Sequence, residues 1–466
     1  MVFSSVTFIF VFLPVTLLLY YLLRGKARNV WLLITSLFFY AFGGISFLPI
    51  MLASIVINYL GGLSMLKFTA EKPRKIALSL FVLANVFLLG YWKYFNFFTD
   101  VAEKITGKSF NLQPVLLPIG ISFFTFQGMS YVIDCYRKKV TPNKSFLTVA
   151  LYISMFPQLI AGPIVRYEGI CNQLESRQFT VDDIASGLRK FTVGLAKKAV
   201  LANSFGVVAD QIFNIQPDEH RVIVAWLGII SYSLQLYYDF AGYSDMAIGL
   251  GRMMGFTFPE NFNYPFISKS YRELWTRWHM TLGTWFREYV YIPLGGSRVS
   301  TLRGFFNIFV VSFLTGFWHG ADYTYVVWGL SMAIINCIEK ATNFPKKLGK
   351  FGHIYTLLIW HLTLVVFRSP NITYAAGYIR SLFGLLKISR VGFEPSWYFD
   401  RYYVFMLVVG ILCSTPLVKN LWIKASGKLS LSSKDLCANV IALVLFAISC
   451  MYIMTSTYNP FIYFQF

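Results

Sequence analysis

QLYYDFAGYSDMAIGLGRMMGFTFPENFNYPFISKSYRELWTRWHMTLGTWFREYVYIPLGG occupies residues 235–296, and FLTGFWHGA follows at residues 313–321. Together they hold Asp239, Asp245, Arg252, Glu260, Arg272, Glu273, Arg277, His279, Arg287, Glu288 and His319, in a chain that elsewhere is strongly apolar. Ionisable groups at membrane depth are costly unless they line a cavity or find partners, so a concentration of them marks an expected functional site.

The apolar background decides the class. Of 466 residues, 56% are hydrophobic and 13% charged, against about 25% charged in a soluble domain. Runs long enough to cross about 30 Å of hydrocarbon recur along the whole length. The composition predicts one all-α polytopic membrane domain over residues 1–466, with about ten to twelve membrane-embedded helices. Its expected divisions are N-terminal spans (1–145), a catalytic core with re-entrant and interfacial helices (146–345) and C-terminal spans (346–466).

The net charge of +20 sits in short loops. Arg24, Lys26 and Arg28 follow the first apolar run, Lys67, Lys72, Arg74 and Lys75 the third, and Arg137, Lys138, Lys139 and Lys144 the fifth. This alternation places those clusters in the cytosol, against anionic lipid head groups, and the N-terminus outside. Nucleic acid is not the expected partner, because no basic stripe lies on a soluble module. Six cysteines without a C-x-x-C pair predict neither a metal site nor a disulfide framework. The first apolar run lacks a basic leader and an A-x-A site, and reads as a retained span.

Past Phe146 the regularity fails. Residues 147–160 stop at Pro157 and AGPIVRYEG, where Gly162 and Pro163 break the helix. Broken backbone at membrane depth must be buried or line a cavity, so a re-entrant element is expected. Residues 180–202 carry Asp182 and Asp183, then Arg189, Lys190, Lys197 and Lys198, and read as an interfacial amphipathic helix. After the loop PENFNYP, which contains Asn261, the residues Trp275, Trp278, Leu282, Trp285 and Tyr289 recur at helical spacing. They predict one helix with an aromatic stripe, lying in the interface and walling the site mouth.

Trp-His occurs three times, at His279, His319 and His361. His361 lies in an apolar helix and is expected to be a structural histidine hydrogen-bonded between helices. Gly316, Gly320 and Asp322 flank His319, small residues leaving room for a ligand, and a neutral imidazole suits proton removal from a hydroxyl near pH 7. Asp239 and Asp245 read as loop caps or partners for Arg252, with Asp245 kept among candidate donor-binding residues. No G-x-S-x-G elbow, H-E-x-x-H zinc site or Walker A loop is present, and Gly249-Leu250-Gly251 does not continue as a dinucleotide fingerprint. A transporter would show paired halves, and none is detectable.

The stretches MVFSS, LLPIGISFFTFQGMSYVIDCYR, FPQLIAGPIVRY, QLYYDFAGYSDMAIGLGRMMGF, FPENFNYPFISKSYRELWTRWHMTLGTWFREYVYIPLGG and LTGFWHGA together resemble the membrane-bound O-acyltransferase family, in its bacterial alginate O-acetyltransferase branch. The resemblance implies a helical ring around a tunnel in the bacterial cytoplasmic membrane. Its W-H-G motif makes His319 the catalytic residue, and its R-W-H motif puts His279 nearby. It further implies an acyl donor that is a cytosolic thioester, acetyl-CoA, and a polysaccharide acceptor outside, reached through a serine-esterase-like partner. On that footing Arg277, Arg287, Trp278, Trp318, Asn261 and Asp245 are the donor-binding or substrate-binding candidates, without a metal. Thr276 stands where the family often has an arginine, which weakens a phosphate role there. D-alanyl transfer to teichoic acid is the alternative within the family, MVFSS and the tail NPFIYFQF favouring acetyl transfer.

Overall fold

The computed structural model describes residues 1–388, 394–456, 458–460 and 462; of the tail NPFIYFQF, Phe461 and residues 463–466 lie outside them. Among the described residues every regular element is helical. In hydrocarbon each backbone N–H and C=O needs a partner, and a helix supplies all of them from its own segment.

Six helical runs are long and apolar enough to cross a membrane: Ile45–Lys67, Glu71–Thr106, Val181–Phe213, Thr301–His319, Phe344–Arg368 and Leu431–Thr455. Arg401–Cys413 and Leu417–Ser426, bent by 72° where Pro416 interrupts the chain, make a seventh if taken as one span. The chain is a multi-pass all-α membrane protein. The expected ten to twelve embedded helices are reached only by counting shorter ones, such as Gly25–Ala41 and Ile121–Tyr136. Those fall below the roughly 20 residues that crossing alone requires.

The chain forms two compact units, Met1–Phe191 with Tyr243–Pro259, and Thr192–Gly242 with Glu260–Phe466. In the first, Phe3 stacks on Tyr243 at 4.5 Å and packs on Phe8 and Phe39, fully buried. Asn58 and Asn85 exchange two amide hydrogen bonds of 3.0 Å between their helices. The expected break is present: Phe146–Ser154 ends at Met155, the short helix Phe156–Leu159 follows, and everything from Val149 to Val165 is buried. Gln158 donates to the Tyr152 carbonyl at 2.6 Å, and the Tyr152 hydroxyl to the Val165 carbonyl at 3.1 Å, so protein groups satisfy the interrupted backbone.

Residues 180–202 are not an interfacial helix in isolation. Val181–Ala196 continues through the π-helical turn Lys197–Ala202 into Asn203–Phe213, a run of 33 residues. Nor are Asp239 and Asp245 loop caps, since both lie in the unbroken 32-residue helix Val222–Met253. Lys190 pairs with Asp245 at 2.9 Å, and Lys198 with Asp239 at 2.6 Å, the latter pair with side chains only 4% and 1% exposed. Lysines that look like a solvated face by spacing are thus inward-facing partners of buried carboxylates. Gly249 shows how closely these helices approach: a Cβ there would stand 2.5 Å from the Gly187 carbonyl oxygen.

In the second unit the tail completes the Lys198–Asp239 pair. The Ile462 amide donates to Asp239 at 3.0 Å, Lys198 donates to the Pro460 carbonyl, and the Tyr458 hydroxyl donates to Asp210 at 2.5 Å. Replacing Lys198 by Met leaves the Asp239 charge buried with backbone amide support alone, a loss of about 3–5 kcal/mol. Lys198→Met is therefore expected to unfold in detergent at a lower temperature than Lys198→Met with Asp239→Leu; equal melting temperatures would contradict the pairing.

Candidate functional site

The sequence around His279 folds as two short helices with a sharp turn between them. Ser270 caps Tyr271–Arg277 by accepting from the Glu273 amide at 3.0 Å. The buried Glu339 carboxylate accepts from the Tyr271 and Arg272 amides at 2.7 and 2.9 Å, a negative charge at the positive end of the helix. The helix stops at Trp278, and His279 takes a left-handed conformation (φ 44°, ψ 53°) before Met280–Phe286 begins. The expected single helix with an aromatic stripe is thus two, because a left-handed residue reverses the chain in a place periodicity does not register. Its aromatics face inward and are not an interfacial belt: Trp278 packs on Trp360 at 4.8 Å and Trp275 on Trp328 at 5.7 Å.

Asn261 holds that turn. Its backbone carbonyl accepts from the Met280 amide at 2.9 Å. Its side-chain oxygen takes the Thr281 amide at 3.3 Å, the Thr281 hydroxyl at 2.9 Å and His279 Nδ1 at 3.0 Å. A backbone amide can only donate, so the atom it meets is the Asn261 oxygen; an oxygen without a proton can only accept, so Nδ1 carries the ring proton. Nε2 is then the basic nitrogen of His279.

The ring sits edge-on to Phe240 at 4.6 Å and 6.0 Å from the Trp318 ring, which in turn lies 4.9 Å from His319. His319, the last residue of Thr301–His319, also meets Trp328 at 5.2 Å and Phe367 at 5.5 Å. Both histidines are buried, and one indole touches each of them. Burial, and after it the nearby His319, hold the His279 imidazole well below its ordinary 6.5, so it is neutral near pH 7.

The room expected beside His319 is filled by protein. A Cβ on Gly316 would meet the Tyr325 carbonyl at 2.5 Å, and one on Gly320 the Tyr325 ring at 2.1 Å. At these two positions the small residues let Tyr323–Thr342 pack against the His319 helix, so a ligand would have to reach His319 from another side. His361, expected to bond between helices, instead has its Nδ1 on the Leu357 carbonyl of its own helix at 2.6 Å.

Of the other candidates, Arg277 is tied to Glu273 at 3.0 Å and to the Asn263 carbonyl at 3.2 Å. Arg287 is exposed and has no ion pair among the described residues. Asp245 belongs to the first unit, in its pair with Lys190. Glu339 and Phe367 were not singled out by sequence; a lone acid within the apolar run of Tyr323–Thr342 is the signal that would have found Glu339. Among the described residues no three His, Cys, Asp or Glu side chains cluster as metal ligands do.

Residues 45–345 match the model of the membrane-bound O-acyltransferase family. The chain is 38% identical to a protein of Pseudomonas putida described as "probable alginate O-acetylase AlgI", over the full length of both. It is 34% identical to a Helicobacter pylori peptidoglycan O-acetyltransferase, covering all of this chain and 98% of that one. A Bacillus subtilis teichoic acid D-alanyltransferase is 31% identical over half of this chain and 60% of its own.

The lowered His279 value has a consequence for stability. Below pH 6.5 the unfolded chain takes up a proton on this residue that the folded site refuses, so its contribution to stability falls as the pH drops toward the lowered value. Melting temperatures followed from about pH 7.5 down to about pH 5 are expected to fall more steeply for the wild type than for His279→Gln. Parallel curves would mean that His279 protonates as readily in the folded protein as in the unfolded chain.

Proposed function

The chain belongs to the membrane-bound O-acyltransferase family and is an acyltransferase, and from that premise we propose that it O-acetylates a polysaccharide outside the cytoplasmic membrane. The observation that carries the chemistry is the pair of buried imidazoles joined by Trp318. The acetyl reading is supported by relatives named as O-acetylating enzymes, which match over the whole length, while the D-alanylating relative matches over half.

The donor is a cytosolic thioester, acetyl-CoA. His319 is the general base: it takes the proton of the acceptor hydroxyl as that oxygen attacks the thioester carbonyl carbon. The tetrahedral intermediate collapses, the carbon–sulfur bond breaks, and the departing thiolate recovers the proton from His319. His279, with its proton held on Nδ1 by Asn261, presents a lone pair and no N–H at Nε2. A nitrogen without a proton cannot donate to an oxyanion, so His279 serves here as an acceptor that orients a hydroxyl. Exclusion of water by the aromatic walls protects the thioester from hydrolysis.

Sidedness follows from charge. In the second unit Arg303 lies at the start of Thr301–His319, with Lys340 beside Phe305, and Lys346, Lys347 and Lys350 precede the helix Gly352–Arg368. By the positive-inside rule that end faces the cytosol and the His319 end faces outward. Arg287, whose turn Arg287–Tyr291 leads to the Leu294 carbonyl held by Asn307 at 3.3 Å, is the better candidate for the donor phosphates than the ion-paired Arg277. The acceptor hydroxyl comes from the outer side, from the polysaccharide or through a serine-esterase-like partner.

Acetate and D-alanine released from cell envelopes by mild alkali test the reading. His319→Ala is expected to lower released acetate about a hundredfold or more, with His361→Ala near wild type. Loss of D-alanine in place of acetate would move the enzyme to teichoic acid chemistry, and normal acetate in His319→Ala would remove His319 as the base. Arg287→Ala is expected to raise the KM for acetyl-CoA about tenfold with kcat little changed; an unaltered KM would place the phosphates elsewhere.

A further inference from the structure

The second unit carries a cleft of about 650 Å³ outside the histidine site, between the loop after Asn203–Phe213 and the start of Ile372–Leu382. We propose that this cleft is an acceptor subsite for a neutral, hydroxyl-rich glycan chain, an inference that rests on the outward sidedness and on the role given to His319.

Its chemistry is that of sugar recognition. Asn214, Gln216 and Thr373 line it with exposed side chains, which supply amide and hydroxyl groups that both donate and accept, as sugar hydroxyls do. The half-buried Tyr374 contributes a ring already fixed in place, because its one hydroxyl proton lies between the carbonyls of Phe213 at 2.8 Å and Ile215 at 2.9 Å. Pro217 and Pro370 stiffen the two edges, so little ordering cost falls on the protein when a chain binds. Among the described lining residues Asp218 is the only ionised group, and no lysine or arginine lines the cleft. A polyuronate would bring carboxylates to an acid; a neutral glycan meets no such repulsion.

Position supports the assignment. Phe213, on the cleft wall, lies against Arg368 at 5.6 Å, and Arg368 follows Phe367, whose ring is 5.5 Å from His319. Tyr325 packs edge-on to the same Phe367 ring at 5.1 Å. The cleft wall is thus connected to the proposed base through the helix turn that carries Phe367 and Arg368. The cleft lies at the outward ends of Val181–Phe213 and Phe344–Arg368, opposite Lys346, Lys347 and Lys350, where an extracytoplasmic chain would arrive.

The test is a titration of the purified full-length protein in detergent with a neutral N-acetylglucosamine tetramer and, separately, a mannuronate tetramer, read by calorimetry. The neutral oligomer is expected to bind at least about tenfold more tightly than the uronate, and Thr373→Trp, which fills the cleft, to weaken it by about tenfold or more. Should Thr373→Trp fail to fold, Asn214→Ala with Gln216→Ala carries the same test by removing the polar groups. Neutral-oligomer affinity equal in wild type and variant, no binding, or tighter uronate binding would each overturn the subsite. The assignment of His319 is read separately, from release of the donor thiol by His319→Ala, so its failure cannot be mistaken for failure of the cleft.

Discussion

One side-chain oxygen organises the turn that carries His279. Asn261 Oδ1 receives a backbone amide, a hydroxyl and an imidazole N–H, and so fixes at once the path of the chain, the left-handed turn at His279 and the tautomer of its ring. An aromatic surround could hold a ring by shape, but shape does not choose between nitrogens. Only a directional acceptor does that, and it does so best where water is excluded and no competing donor is at hand.

The same economy governs the charges. A buried carboxylate in an apolar chain needs a cation and hydrogen bonds, and Asp239 has both, from Lys198 and the Ile462 amide. Glu339 answers the need differently, by closing the first turn of a helix in place of meeting a lysine. Each solution ties together segments distant in sequence, which is why polar residues in the second unit act as its clasps while the apolar ones fill space.

Much of this was legible beforehand. The membrane class and the break after residue 154 could be read from composition and from Pro157 and Gly162, while the nearness of His279 to His319 came with the family resemblance and not from the Trp-His pairs, of which there are three. What misled was local reasoning about long-range partners. Lys190 and Lys198 look like a wet face because their carboxylates lie about fifty and forty residues onward, on another helix. The aromatic stripe after Trp275 looks continuous because a non-glycine left-handed residue has no mark in the letters. Gly316 and Gly320 looked like space for a ligand, whereas they are space for Tyr325.

The tail contacts also say something about the order in which the molecule is completed. Asp239 is separated from Ile462 by 223 positions, and Lys198 from Pro460 by 262, so nearly the whole second unit is synthesised before either contact can close. Until then the two helices bearing that pair must enter the bilayer with one acceptor and one donor still to be satisfied. Seating Pro460 and Ile462 thus converts a provisional helix pair into a closed one, and it does so only after both histidines have been synthesised.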